Sequence, residues 1–253
     1  MSNTALVSTL AMVLVAVLLS LWQQLRLERD LLVGTVRTFV QLLAIGYVLA
    51  FVFQQDRWYF TAGVLLLMTL VATHNAAGRG KGVPGIFWRV MLAIGLGETV
   101  TLGIMLLLHI IEGTPRFVIP VAGMIVGNAM VAAGLVLNRF QADIRQRRPE
   151  VEAALALGAS PRQAVEGVLQ TAVKGGMIPT IDSMKTVGLV ALPGMMTGSI
   201  LAGADPLLAV KYQIMVMLML SSATALSSIT LGFILYPAYF NQAEQLVIPV
   251  AVK

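Results

Sequence analysis

Long apolar runs broken by short polar stretches dominate the chain. Seven such runs are long enough to count as candidate spans: Ala5–Trp22, Thr35–Phe53, Trp58–Thr73, Val90–Ile111, Phe117–Leu137, Val187–Ala202 and a stretch within Val210–Phe240. A bilayer core needs roughly 20 apolar residues per helix. The last stretch holds no charge after Lys211 and runs for 31 residues, long for one span and short for two, so one tilted or extended helix is expected. These runs predict an all-α fold: a polytopic membrane bundle of about seven helices.

Composition supports this. The chain is 58% hydrophobic and 11% charged, against about 25% charged in soluble domains. So few charges cannot cover a water-facing surface, whereas lipid-facing helices need none. No soluble domain large enough for an enzyme is left over. There is no cysteine, which excludes disulfides, thiolate metal sites and cysteine nucleophiles. No Lys or Arg precedes Arg26, so the first run is expected to be a retained span rather than a signal peptide.

Charge then sets orientation. The odd-numbered connections hold 13 of the 17 Lys and Arg, from Arg26, Arg29 and Arg37 through Arg79, Lys81 and Arg89 to the group between Arg139 and Lys185. The even ones hold Arg57, Arg116 and Lys211, and Lys253 lies in the tail. By the positive-inside rule the N-terminus faces out and the C-terminus in. A basic balance that sorts by loop speaks for topology, not for nucleic acid.

One connection, residues 138–185, is far longer than the others and is expected to be cytoplasmic. Pro149 suits the start of a helix and Glu150 and Glu152 suit its first turn. Val151, Ala154 and Leu155 form a small apolar face, and Gly158 can end the helix in the left-handed conformation. Ser160, Pro161 and Gln163 make a capping box that opens a second helix, expected to run to about Val173. Glu152-Ala153-Ala154, three residues, then Gly158 resembles the EAA loop of ABC-transporter permeases, although the Ile-x-Leu-Pro continuation of the importer pattern does not follow at its usual spacing. An ordinary amphipathic loop helix would give the same short pattern.

The resemblance extends over residues 30–240. Arg37-Thr-Phe-Val-Gln41, Pro120-Val-Ala-Gly123-Met124-Ile-Val-Gly127-Asn128, Leu157-Gly158-Ala159-Ser160, Val187-Gly188-Leu189-Val190, Leu192-Pro193-Gly194-Met195-Met196-Thr197-Gly198 and Tyr212-Gln213, in this order, resemble the Fet permease family. That family is the membrane subunit of an iron-exporting ABC transporter and is related to plant aluminium-tolerance permeases. The resemblance implies a multi-pass protein of the bacterial inner membrane, paired as a homodimer with a separate ATPase that carries ATP and Mg. It implies no cofactor in this chain, and Glu152, Ala153, Ala154, Gly158, Ser160, Pro161 and Arg162 as the ATPase-coupling segment. The chain itself lacks G-x-x-x-x-G-K-[ST], so any ATP hydrolysis must come from another subunit.

Candidates for a transport pathway are Glu98, Asn128, Met124, Met195, Met196 and Gln213. A charge at membrane depth is costly and commonly functional. Glu98 is therefore either a cation or proton contact or a carboxylate held by a bundle partner such as Arg37. Asn128 can line a path or join helices. Asp182 stands three residues from Lys185, the spacing of an ion pair. The methionines offer soft thioether donors or flexible packing. Pro193-Gly194 would bend or break the sixth span. The rival to an ATP-driven permease is a secondary transporter or channel.

Overall fold

The computed structural model describes residues 8–55 and 57–248. The beginning of the first expected span, from Ala5, and the tail with Lys253 lie outside the described residues. All regular structure among the described residues is helical. Among the described residues five helices are long and apolar enough to cross a membrane.

The chain divides into two compact units, residues 1–57 and 58–253. The first holds α1 (Leu10–Trp22) and α2 (Glu28–Gln55). Their link is fastened by one side chain. Ser20 Oγ donates to Glu28 Oε2 at 3.1 Å and accepts from the Leu27 amide at 3.0 Å. Gln24 and Arg26 take left-handed backbone to make the turn.

The second unit holds α3 (Trp58–Ala77), α4 (Ile86–Leu107), α5 (Pro115–Gln146), α6 (Arg148–Ala156), α7 (Pro161–Ala164), α8 (Glu166–Thr186), α9 (Gly194–Leu201) and α10 (Pro206–Leu235). The expected seventh span is thus a single 30-residue helix. Asp205 caps it by accepting from the Leu208 amide, and Pro206 fills its first turn.

The sixth span departs from expectation. Val187–Ala202 is not one helix. Residues 187–193 form a turn around Gly188, whose φ is +82°, and helix resumes only at Gly194. The long element is instead α8, which runs on to Thr186, well past the expected Val173. It packs along α5 and α10. Lys174, Asp182 and Lys185 are exposed on it, while Ala172, Gly176 and Thr180, four apart, are buried. Small residues let these helices approach closely. A Cβ on Gly176 would stand 2.6 Å from Val136 Cγ2 and 3.1 Å from both the Ala132 carbonyl oxygen and Ser228 Oγ.

Two apolar clusters fill the second unit. One joins α3, α4, α5, α8 and α10 around Ile94, Val136, Phe140 and Leu231. The other joins α4, α5 and α10 around Met105, Ile125 and Met219. Large apolar side chains such as Leu66, Leu92 and Ile214 remain exposed on the outside, as a lipid-facing surface requires.

Basic residues gather at one end of this bundle. Arg89, at the start of α4, donates to the Ile234 carbonyl at the end of α10. Arg79 folds onto Gly134 of α5, and Arg139 pairs with the buried Asp143 at 3.1 Å. Arg162 lies over Phe233.

Candidate functional site

The segment between α5 and α8 is built as its sequence predicts in three respects. α6 turns Val151 into the core and leaves Glu152 outside, where it accepts from Arg148 at 2.7 Å. Gly158 ends the helix with φ +87°, a conformation cheap for glycine alone. The Ser160 capping box is complete: the Ser160 side chain accepts from the Gln163 amide, and Gln163 Oε1 accepts from the Ser160 amide at 2.9 Å. After α7 the chain turns once at Val165 and enters α8 directly. Glu152, Gly158 and Ser160 line a groove of about 800 Å³ whose opposite wall is the turn at residues 243–246. That turn is held by Asn241 Oδ1, which accepts from the amides of Ala243 and Gln245. Leu157, at the tip, is 89% exposed.

A second feature lies between α5, α8 and α10. A cavity of about 460 Å³ opens there, and four of the predicted pathway residues line it: Met124, Asn128, Met195 and Gln213. Met196 does not line it. The 187–193 turn forms part of its wall, so the broken helix serves to leave room for it. Asn128 Nδ2 donates back to the Met124 carbonyl at 2.9 Å. Gln213 is 5% exposed, and its Oε1 has no hydrogen-bond partner.

Sequence reasoning missed the contribution of α8. Thr180, Ser183 and Thr186 present hydroxyls at or beside the cavity. Their polarity and the charges around them disguised this helix as loop. The Ala172, Gly176, Thr180 spacing was the available signal.

Glu98 stands elsewhere. It is 7% exposed, and its Oε2 accepts from the Thr69 hydroxyl of α3 at 2.6 Å. Its Oε1 has no partner. It borders a separate, mainly apolar recess between α3, α4 and α10. The bundle partner of this carboxylate is therefore Thr69. Asp182 and Lys185 form the expected ion pair at 3.4 Å. No cluster of three or more His, Cys, Asp or Glu side chains occurs among the described residues.

Residues 3–240 match the sequence profile of the uncharacterised protein family UPF0014. The chain belongs to that family. It is 44% identical to the UPF0014 membrane protein YjkA of Bacillus subtilis, covering 97% of this chain and 98% of the relative. It is 41% identical to the "Probable iron export permease protein FetB" of Escherichia coli, over 98% and 95% of the two chains. It is 42% identical to the protein ALUMINUM SENSITIVE 3 of Arabidopsis thaliana, over 94% and 88%. No solved structure matches. The resemblance drawn from the sequence motifs thus holds over nearly the whole chain, and the chain is a membrane protein of the UPF0014 family.

Proposed function

We propose that this membrane protein is the permease subunit of an ABC transporter. Two copies would pair with two copies of a separate ATPase, which supplies ATP and Mg, and the assembly would export a metal ion across the bacterial inner membrane. The name of the Escherichia coli relative makes iron the first cargo to test.

One observation carries this reading. The segment Glu152–Arg162 is a helix, a glycine turn and a capped helix at the basic end of the bundle, and it continues directly into α8, which lines the cavity. A push on the exposed Leu157 tip would reach the cavity through α8, with one break at Val165. Rigid elements of this kind carry coupling between distant sites. The basic end is the cytoplasmic end by the positive-inside rule, where an ATPase would dock.

Co-expression with an ABC ATPase and purification in lipid tests the reading. The expected result is a stable complex whose ATP hydrolysis is stimulated by this chain. Cation flux through the chain alone, with no ATPase bound and no ATP required, would replace the proposal with a secondary transporter or channel.

A further inference from the structure

The donor atoms around the 460 Å³ cavity restrict what it can hold. Three thioethers line it, from Met124, Met195 and Met217, together with the amides of Asn128 and Gln213 and the α8 hydroxyls. Among the described residues no charged side chain and no histidine lines it. A divalent cation stripped of water there would meet no countercharge, and the desolvation cost of an ion rises with the square of its charge. Iron(II) and other hard or borderline ions favour carboxylate, imidazole or water, whereas thioethers favour Cu(I)-like soft ions.

Gln213 adds an independent observation. Its Oε1 is buried at the cavity wall with no donor. Leaving a buried acceptor unsatisfied costs about 1–3 kcal/mol, so an occupant that donates a hydrogen bond or carries positive charge would satisfy this oxygen. Met195 follows the 187–193 turn, lines the cavity and is 40% exposed, and its unbranched side chain can adapt to an occupant.

We propose that this cavity is a binding site for a soft monovalent cation, Cu(I) or Ag(I), held by the thioethers of Met124, Met195 and Met217 and by the Gln213 carbonyl oxygen. The proposal rests on taking the cavity as the transport site, and it narrows the cargo away from iron(II). A neutral donor set suits an ion that must leave again. A carboxylate cage at this depth would hold a cation tightly and oppose its release.

The test uses the purified full-length chain in lipid nanodiscs without any ATPase, titrated with Ag(I) by calorimetry. Ag(I) is expected to bind at one site per chain, undisturbed by excess Mn(II) or Zn(II), divalent ions that do not reduce it. Replacing all three methionines by leucine should weaken binding roughly tenfold or more, since even outer partners of a metal site are worth that much. Met130→Leu, a methionine packed on the core away from the cavity, should not change it. Circular dichroism and thermal melting of the triple variant check that it is folded. If the Met130→Leu and triple variants bind Ag(I) equally, or if Mn(II) or Zn(II) displaces it, the proposal is overturned. Because this assay contains no ATPase, a chain that stimulates ATP hydrolysis but binds no Ag(I) would refute the cation class and leave the permease reading standing.

Discussion

Arg162 lies over the ring of Phe233, with the guanidinium carbon 5.1 Å from the ring centroid. The contact joins the first turn after Ser160 to the last turn of α10, whose other half carries Gln213 at the cavity. The segment Glu152–Arg162 is thus tied to the cavity twice, through α8 by chain continuity and through α10 by a cation–π contact worth about 0.5–2 kcal/mol. Arg162→Ala should keep the ATPase bound and hydrolysing while lowering the cation moved per ATP. Arg162→Lys should recover part of the loss. Parallel assays of hydrolysis and transport in proteoliposomes check this, and an unchanged ratio in Arg162→Ala would show that α10 is not driven from this contact.

Gly158 holds the turn between the two helices at φ +87°. A side chain there costs roughly 1–2 kcal/mol, and more when β-branched. Gly158→Val should leave the protein in the membrane and abolish stimulation of ATP hydrolysis, because α7 is then aimed wrongly. Membrane fractionation together with ATPase rates would show it.

Gly176 and Gly175 provide a paired test of the packing. A Cβ at 176 overlaps Val136 and crowds the Ala132 carbonyl, whereas one at 175 meets the Arg139 side chain at ordinary contact distance, Cγ at 3.5 Å and Cβ at 3.8 Å. Gly176→Leu should therefore destabilise the bundle by about 1–3 kcal/mol through overpacking. Gly175→Ala should be neutral or stabilising, since alanine favours helix by about 1 kcal/mol over glycine. Thermal melting in detergent separates the two, and equal melting temperatures would mean that α8 does not lie against α5 and α10.

Glu98 and Thr69 join α4 to α3 away from the cavity. Thr69→Val removes the one donor, among the described residues, to a carboxylate whose other oxygen has no partner there. It should cost about 1–3 kcal/mol of stability. Glu98→Gln keeps an acceptor for Thr69 and should transport cargo as the unaltered chain does. A transport defect in Glu98→Gln at normal stability would place this carboxylate on the cation path.

Elements with local signals were legible in the sequence. The capping box at Ser160 and Gln163 and the glycine stop at Gly158 depend on neighbours within four residues, and the structure has both. The full length of α8 was not legible, because it owes its place to close approach at Gly176 rather than to hydrophobicity. Its exposed Lys174, Asp182 and Lys185 mimic a loop. Pro193-Gly194 was expected to interrupt a helix, and the interruption is a whole turn from Val187 to Pro193 that opens the cavity. The motif residues Met124 and Asn128, Met195, and Gln213, from three separate segments of the sequence, line one cavity. Glu98 stood out in the sequence for its charge, yet its bond to Thr69 becomes visible only once α3 and α4 are packed.

ATP-driven cation uptake into inside-out vesicles tests the central claim most directly. Vesicles carrying this chain and its ATPase should accumulate the cation only when ATP is supplied, and Gly158→Val should abolish accumulation without removing the chain from the membrane. Accumulation that persists without ATP, or in vesicles holding this chain alone, would contradict it.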